Sequence, residues 1–179
     1  MSQYTYDIKD IASGNEISFE YFMSSYSNRL FHYAMGIVKS KETAEEVVSD
    51  VFLEVWKNRS SLLEIENLNS WLYTVTYRKC ISSIRKDADV QSVSLDDVDD
   101  FLFTPIQSPD EAIISKEEMN KINQAIQSLP PKCKHVFYLA KIEKLPYKEI
   151  SDILNISIKT INNHIATALE KISSFLKEE

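Results

Sequence analysis

The sequence predicts an all-α protein: two small helical domains joined by an acidic flexible linker, the C-terminal one containing a helix-turn-helix. Three observations carry this. Only Gly14 and Gly36 are glycine among 179 residues, which leaves little material for tight hairpin turns or a phosphate-cradling loop. Apolar residues recur at helical spacing through most of the chain. That spacing fails from Asp87 to Ser108, where Asp96, Asp97, Asp99 and Asp100 repel one another and Pro105 interrupts regular structure. The expected boundaries are 1–87, a linker at 88–108, and 109–179.

The first helix is expected near Ser18, with Phe19, Phe22, Met23, Tyr26, Leu30, Tyr33 and Ile37 at helical spacing. A second begins at Thr43, where Thr43 and Glu46 fit a capping box. Ala44, Val47, Val48, Val51, Phe52 and Val55 form its apolar stripe, and Glu45, Glu46, Asp50, Glu54 and Lys57 its other face. Ser60 to Asn69 reads as a loop or short turn. A third helix, Ser70 to Lys86, turns Leu72, Val75, Cys80 and Ile84 inward and carries Thr74, Arg78, Ile81 and Arg85 on a different face. Within the linker, Val98, Phe101, Leu102 and Phe103 are apolar and free to dock elsewhere.

Ser108-Pro109-Asp110-Glu111 marks the next helix start, with Ile122 and Ile126 leading to Leu129. Pro130-Pro131 ends that helix and opens another over Lys132 to Lys144, with Val136, Phe137 and Ala140 inside. Leu145-Pro146 breaks the chain again. A short helix from Tyr147 to Leu154 carries Ile150, Ile153 and Leu154. Asn155-Ile156-Ser157 makes a tight turn, and a last helix runs from Ile158 to Leu176, burying Ile161, Ile165, Leu169 and Ile172.

A net charge of −7 argues at first against a nucleic-acid partner. The charge is unevenly distributed. Residues 1–64 carry 6 basic and 10 acidic side chains, residues 65–86 carry 4 and 1, residues 87–118 carry 1 and 10, and residues 119–179 carry 9 and 6. Two mildly basic blocks therefore flank a strongly acidic one. Cys80 and Cys133 make no metal-binding spacing and read as two thiols in a reducing cytoplasm. The N-terminus lacks a basic-then-apolar leader pattern. The longest stretch without a charge, Asn67 to Tyr77, has 11 residues, against about 20 apolar residues for a membrane span. No cofactor or metal is expected, and no nucleophile–base arrangement points to an enzyme.

A short helix, a three-residue turn and a longer amphipathic helix are the arrangement that lets a second helix enter a major groove. Asn155 stands where the chain turns sharply, and Asn tolerates the left-handed conformation. Ser157 can cap the recognition helix. Lys159, Thr160, Asn162, Asn163 and Thr167 face away from Ile161 and Ile165 and offer groups that match base edges and phosphates. Lys132, Lys134, Lys141, Lys144 and Lys148 add phosphate contacts. An ordinary helical hairpin with a solvated face is the competing reading. His164 has no partner at i+4 for a metal and reads as a groove-edge or packing residue. A second candidate is the helix from Trp71 to Lys86, where Trp71, Tyr73 and Tyr77 interleave with Arg78, Lys79, Arg85 and Lys86. Rings and cations together suit unpaired bases, although aromatics at helical spacing also build cores.

Taken together these segments resemble extracytoplasmic-function (ECF) sigma factors of the sigma-70 family, promoter-recognition subunits of bacterial RNA polymerase. Ala44-Glu45-Glu46-Val47-Val48-Ser49-Asp50-Val51-Phe52-Leu53-Glu54-Val55-Trp56 resembles the family's polymerase-binding helix. Asn69-Ser70-Trp71-Leu72-Tyr73 with Ile84-Arg85-Lys86 resembles its −10 helix. Leu129-Pro130-Pro131 and Tyr147 to Ile161 resemble its −35 domain. The Asn162-Asn163-His164 segment is most similar to Bacteroidetes members. The chain departs from the family near Arg78 and Ser82, at Asn155 where Gly is common, and in lacking an Arg-rich recognition helix.

The resemblance implies that Glu46, Asp50, Phe52, Glu54 and Trp56 dock on the clamp helices of the polymerase β′ subunit. It implies that Glu66, Asn67, Asn69 and Trp71 meet the −10 strand, with a flipped base held at 66–69, and that Arg78, Lys79, Arg85 and Lys86 hold phosphates. Lys148, Ser157, Lys159, Thr160, Asn162, Asn163, His164 and Thr167 would meet the −35 element, and the domain that carries them would touch the β flap. The linker would thread near the polymerase active-site and RNA-exit channel. The implied partners are core polymerase, promoter DNA and an anti-sigma factor, membrane-anchored in some relatives. Two alternatives are a helix-turn-helix regulator acting without core polymerase and a protein-only adaptor. Weak basicity beside an acidic tether predicts poor DNA binding by the free chain.

Overall fold

The computed structural model describes residues 5–88, 101–105 and 115–177, and these form helices and connecting turns without strands. The chain divides into two compact units, Met1–Val93 and Ser94–Glu179. In the first, α1 (Ile8–Ala12) leads into α2 (Glu16–Val38), followed by α3 (Lys41–Lys57), a 3₁₀ turn (Arg59–Glu64) and α4 (Leu68–Ala88). Gly14 joins α1 to α2 at φ +93, a conformation a side chain would oppose. Helices α2, α3 and α4 pack against one another, and α1 packs on the 3₁₀ turn. Phe22, Leu30, Tyr33, Val51, Val55, Leu72, Tyr73 and Cys80 are fully enclosed there, and Tyr33 meets Tyr73 edge-on at 4.9 Å. Burial pushes the Cys80 thiol up to about 12, so it sits in the core as an unreactive thiol.

Three details differ from the sequence reading. The cap of α3 is Ser40, whose hydroxyl accepts from the Thr43 amide at 3.3 Å, so α3 starts two residues before Thr43. The cap of α4 is Asn67, which accepts from the Ser70 amide at 3.0 Å and brings Asn69 into the helix. On α4, Ile81 is buried and Ile84 only half-buried, the reverse of the face assigned to them.

In the second unit, α5 (Lys116–Gln127), α6 (Pro131–Phe137) and α7 (Tyr147–Leu154) each pack on α8 (Ile158–Lys177). Helix α6 continues through a π-helical turn, Tyr138–Ile142. Ser115 and Glu118 close a capping box at the start of α5; the start expected at Ser108 to Glu111 lies outside the described residues. Pro131 stands in the first turn of α6, where its missing N–H costs nothing. On α8, Ile161, Ile165 and Ala168 are buried and Leu169 is 49% exposed, so the stripe expected to continue inward at Leu169 turns outward instead.

Phe101 and Phe103, assigned to the linker, are core residues of this unit. The Phe101 ring lies parallel to His135 at 4.5 Å and tilts on Tyr138 at 5.3 Å. His135 is fully enclosed, and burial pushes it down to about 3. The folded unit therefore keeps this ring neutral, while the unfolded chain takes up a proton below about 6.5. The resulting contribution is present above pH ~6.5 and is lost as pH falls toward 3, by up to about 1.4 kcal/mol per pH unit. His135→Phe is expected to flatten this part of the fall in urea midpoint between pH 7 and pH 5; an unchanged slope would contradict the assignment.

Candidate polymerase and nucleic-acid interfaces

Helix α3 buries Ala44, Val47, Val48, Val51, Phe52 and Val55, as its period predicts. Its outer edge exposes Glu42, Glu45, Glu46 and Asp50, which line one shallow acidic depression with Ser49. Beside it lies an apolar groove of about 480 Å³ between α2 and α3. Phe19, Met23, Phe52 and Trp56 line it, Leu53 stands 55% exposed at its edge, and Glu16 and Glu20 rim it. Phe52 is mostly buried, edge-on to Phe19 and Phe22 at 6.4 and 6.3 Å, so it forms the groove wall. Trp56 tilts on Phe19 at 4.8 Å and is covered on a face by the Arg59 guanidinium at 4.6 Å. Leu53 escaped the sequence reading, although an apolar residue on the polar side of α3 is its signal.

On α4, Tyr73 and Tyr77 are buried and belong to the core, while Trp71 is half-buried. Arg78, Arg85 and Lys86 are exposed. Lys79 forms an ion pair with Glu54 across α3 and α4 at 2.8 Å, so one candidate phosphate contact and one candidate polymerase contact hold each other. Glu66 is exposed, Asn67 is occupied as a cap, and Asn69 accepts from Arg29 of α2 at 3.3 Å. Arg29 was not among the expected site residues.

The helix-turn-helix has the expected limits at α7, the turn and the start of α8. Asn155 adopts φ 53 and ψ 44, the left-handed conformation. Ser151 donates to the Ile156 carbonyl at 2.6 Å and ties the turn to α7. Ser157 accepts from the Thr160 amide at 3.0 Å, and the two hydroxyls lie 2.9 Å apart. Lys148, Lys159, Asn162 and Asn163 are exposed, and Thr160 and Thr167 are half-buried. Asn162 donates its amide to the Ile158 carbonyl at 3.0 Å. His164 Nδ1 lies 3.2 Å from Cys133 Sγ, and burial and the nearby Lys132 hold its pKa below the usual value; it is a packing residue between α6 and α8. Lys132, Lys141 and Lys144 are exposed, but Lys134 is 6% exposed and is not presented to a phosphate. Among the described residues, no three His, Cys, Asp or Glu side chains gather as a metal site, and no helix is long and apolar enough to cross a membrane.

Two family models match this chain: Sigma-70 region 2 over residues 22–89 and Sigma-70, region 4 over residues 119–172. The chain belongs to the sigma-70 family. It is 25% identical over 178 residues to the ECF RNA polymerase sigma factor SigW of Bacillus subtilis, covering 96% of this chain and 95% of SigW. It is 20% identical over 178 residues to the RNA polymerase sigma-H factor of Pseudomonas aeruginosa, covering 95% and 92%. The fold matches the sigma factor RpoE solved with the anti-sigma factor NepR from Bartonella quintana, with TM-score 0.58, 20% identity and coverage of 90% and 98%. It also matches CnrH, solved with the cytosolic domain of CnrY, with TM-score 0.56, 18% identity and 96% coverage of each chain. This sigma factor is of the ECF type and directs promoter-specific transcription initiation with RNA polymerase; a regulator that never binds the core enzyme is not favoured.

Proposed function

We propose that the first unit binds core polymerase and the −10 strand, and the second reads the −35 element. The observation that carries this division is the acidic, apolar-flanked outer edge of α3 beside a cationic α4, with a helix-turn-helix in the other unit. Glu46 and Asp50 face basic residues of the β′ clamp helices, and Leu53 and Trp56 supply area. Charge complementarity there sets register and association rate more than affinity. Phe52 acts as the wall that shapes the groove. Glu66 with Asn67, Asn69 and Trp71 lines the place of the extracted base. Arg78, Arg85 and Lys86 hold phosphates, and Lys79 joins them only by leaving Glu54. Lys148, Lys159, Asn163 and Thr167 face the −35 duplex, and the second unit also touches the β flap. The acidic linker, read over 88–108, is the proposed tether near the polymerase active-site and RNA-exit channel, with Phe101 and Phe103 packed in the second unit.

The sigma factor supplies recognition, and polymerisation is the core enzyme's chemistry. An anti-sigma factor, membrane-anchored or soluble, is the proposed regulator, supported by the complexes of CnrH and of RpoE. The cytoplasm is the proposed location, and the Asn162-Asn163-His164 segment supports a Bacteroidetes-type recognition helix.

Binding to duplex promoter DNA, with and without core polymerase, tests this reading. The free chain is expected to bind weakly and the holoenzyme tightly; tight sequence-specific binding by the free chain would support a regulator that works alone. Salt dependence separates the two neighbouring cations. Arg78→Ala is expected to lower the slope of log affinity for a single-stranded −10 oligonucleotide by roughly 0.7 in the holoenzyme. Lys79→Ala should change the slope less, because its ammonium is held by Glu54. Equal slope changes would show that the ion pair opens on DNA.

A further inference from the structure

We propose that Asn163 is the residue of the recognition helix that reads a base edge, and that the edge is that of an adenine in the −35 element. This rests on the −35 reading above and assigns its specificity to one side chain. The helix advances about 100° per residue. Asn163 is two residues from Ile161 and two from Ile165, both buried, so it points about 160° away from each, to the middle of the open face. Lys159 and Thr167 stand one turn before and after it on the same line.

Four of the other candidate side chains are already engaged. Ser157 and Thr160 share the cap of α8. Asn162 lies only about 100° from Ile161 and spends its amide N–H on the Ile158 carbonyl at 3.0 Å. His164 is turned to Cys133. The Asn163 side chain is exposed on the second turn of α8, near the end of a recognition helix that meets base edges. Its carboxamide carries a donor and an acceptor side by side, the complement of adenine N7 and N6 in the major groove. Lys159 carries donors alone, which suit a phosphate or the two acceptors of guanine and not the paired donor and acceptor of adenine. Thr167, half-buried, has one hydroxyl and one methyl and cannot make the paired contact.

The test is promoter selection by reconstituted holoenzyme from a library randomised across the −35 element, with wild type, Asn162→Ala and Asn163→Ala. Both residues are exposed, and circular dichroism confirms that each variant is folded. Asn163→Ala is expected to flatten the preference for one A·T pair by roughly 5- to 150-fold, and Asn162→Ala to leave every position within about twofold. Replacing that adenine by 7-deazaadenine removes the N7 acceptor. Wild type should then lose affinity and Asn163→Ala should not lose more. Flattening by Asn162→Ala, flattening by both variants or by neither, or an equal 7-deazaadenine penalty in wild type and Asn163→Ala, would each overturn the assignment while leaving the sigma reading in place. A wild-type holoenzyme that initiates but shows no −35 preference would overturn the assignment together with the −35 reading.

Discussion

Asp50→Lys is expected to weaken binding to bacterial core polymerase by at least about 100-fold while leaving the far-ultraviolet circular dichroism unchanged. Asp50 is exposed on the outer edge of α3, within the same depression as Glu42, Glu45 and Glu46. Reversing its charge would place a cation against the proposed basic docking surface, and like charges juxtaposed at an interface cost several kcal/mol. Each ~1.4 kcal/mol is a factor of ten in affinity. The fold has little reason to respond, because the buried stripe of α3 lies on the opposite side. Glu54→Lys is a less direct probe, since it also breaks the pair with Lys79 and leaves two cations together. Full retention of core binding by Asp50→Lys would move the docking surface away from α3.

Phe101→Ala is expected to destabilise the second unit by about 3–5 kcal/mol, the usual cost of emptying a buried aromatic site. Phe101 has no exposed surface, stacks on His135 and tilts on Tyr138. A loss of that size is a large part of the ~5–15 kcal/mol by which small domains are stable. Both tryptophans, Trp56 and Trp71, lie in the first unit, so their fluorescence reports that unit and circular dichroism reports both. The variant should show an earlier loss of ellipticity in urea without an earlier change in tryptophan emission. Coincident wild-type and mutant ellipticity curves would remove Phe101 from the core.

The helices whose burial lies on one side were legible in the sequence. In α3 and α7 the buried side chains are the apolar ones at helical spacing, so that spacing gives the buried stripe directly. Helix α4 was read less well because its burial is not confined to one stripe of aliphatic side chains. Its buried arc therefore takes in Tyr73, Thr76, Tyr77 and Ile81 as well as Leu72, Val75 and Cys80, and a one-stripe reading cannot divide such an arc. Leu169 failed for the opposite reason: α8 keeps its apolar period past the last buried position, Ala168. Ser40 and Thr43 are both capping residue types, and only backbone geometry shows which one caps. Phe101 and Phe103 sit next to four aspartates, so local charge hid their long-range ring contacts with His135 and Tyr138.

The site divides in the same way. The residue types of the helix-turn-helix and the charged face of α3 could be read from spacing. Which side chains remain available could not, because that depends on hydrogen bonds such as Asn162 to Ile158 and contacts such as His164 to Cys133. The Lys79–Glu54 pair joins residues 25 positions apart in sequence, and no local pattern announces it.

Run-off transcription with purified bacterial core polymerase, this chain and a randomised promoter library tests the central claim most directly. A promoter-specific sigma factor yields transcripts with defined starts from a selected family of two-element promoters, dependent on both chain and core. Absence of chain-dependent initiation from every template would contradict it.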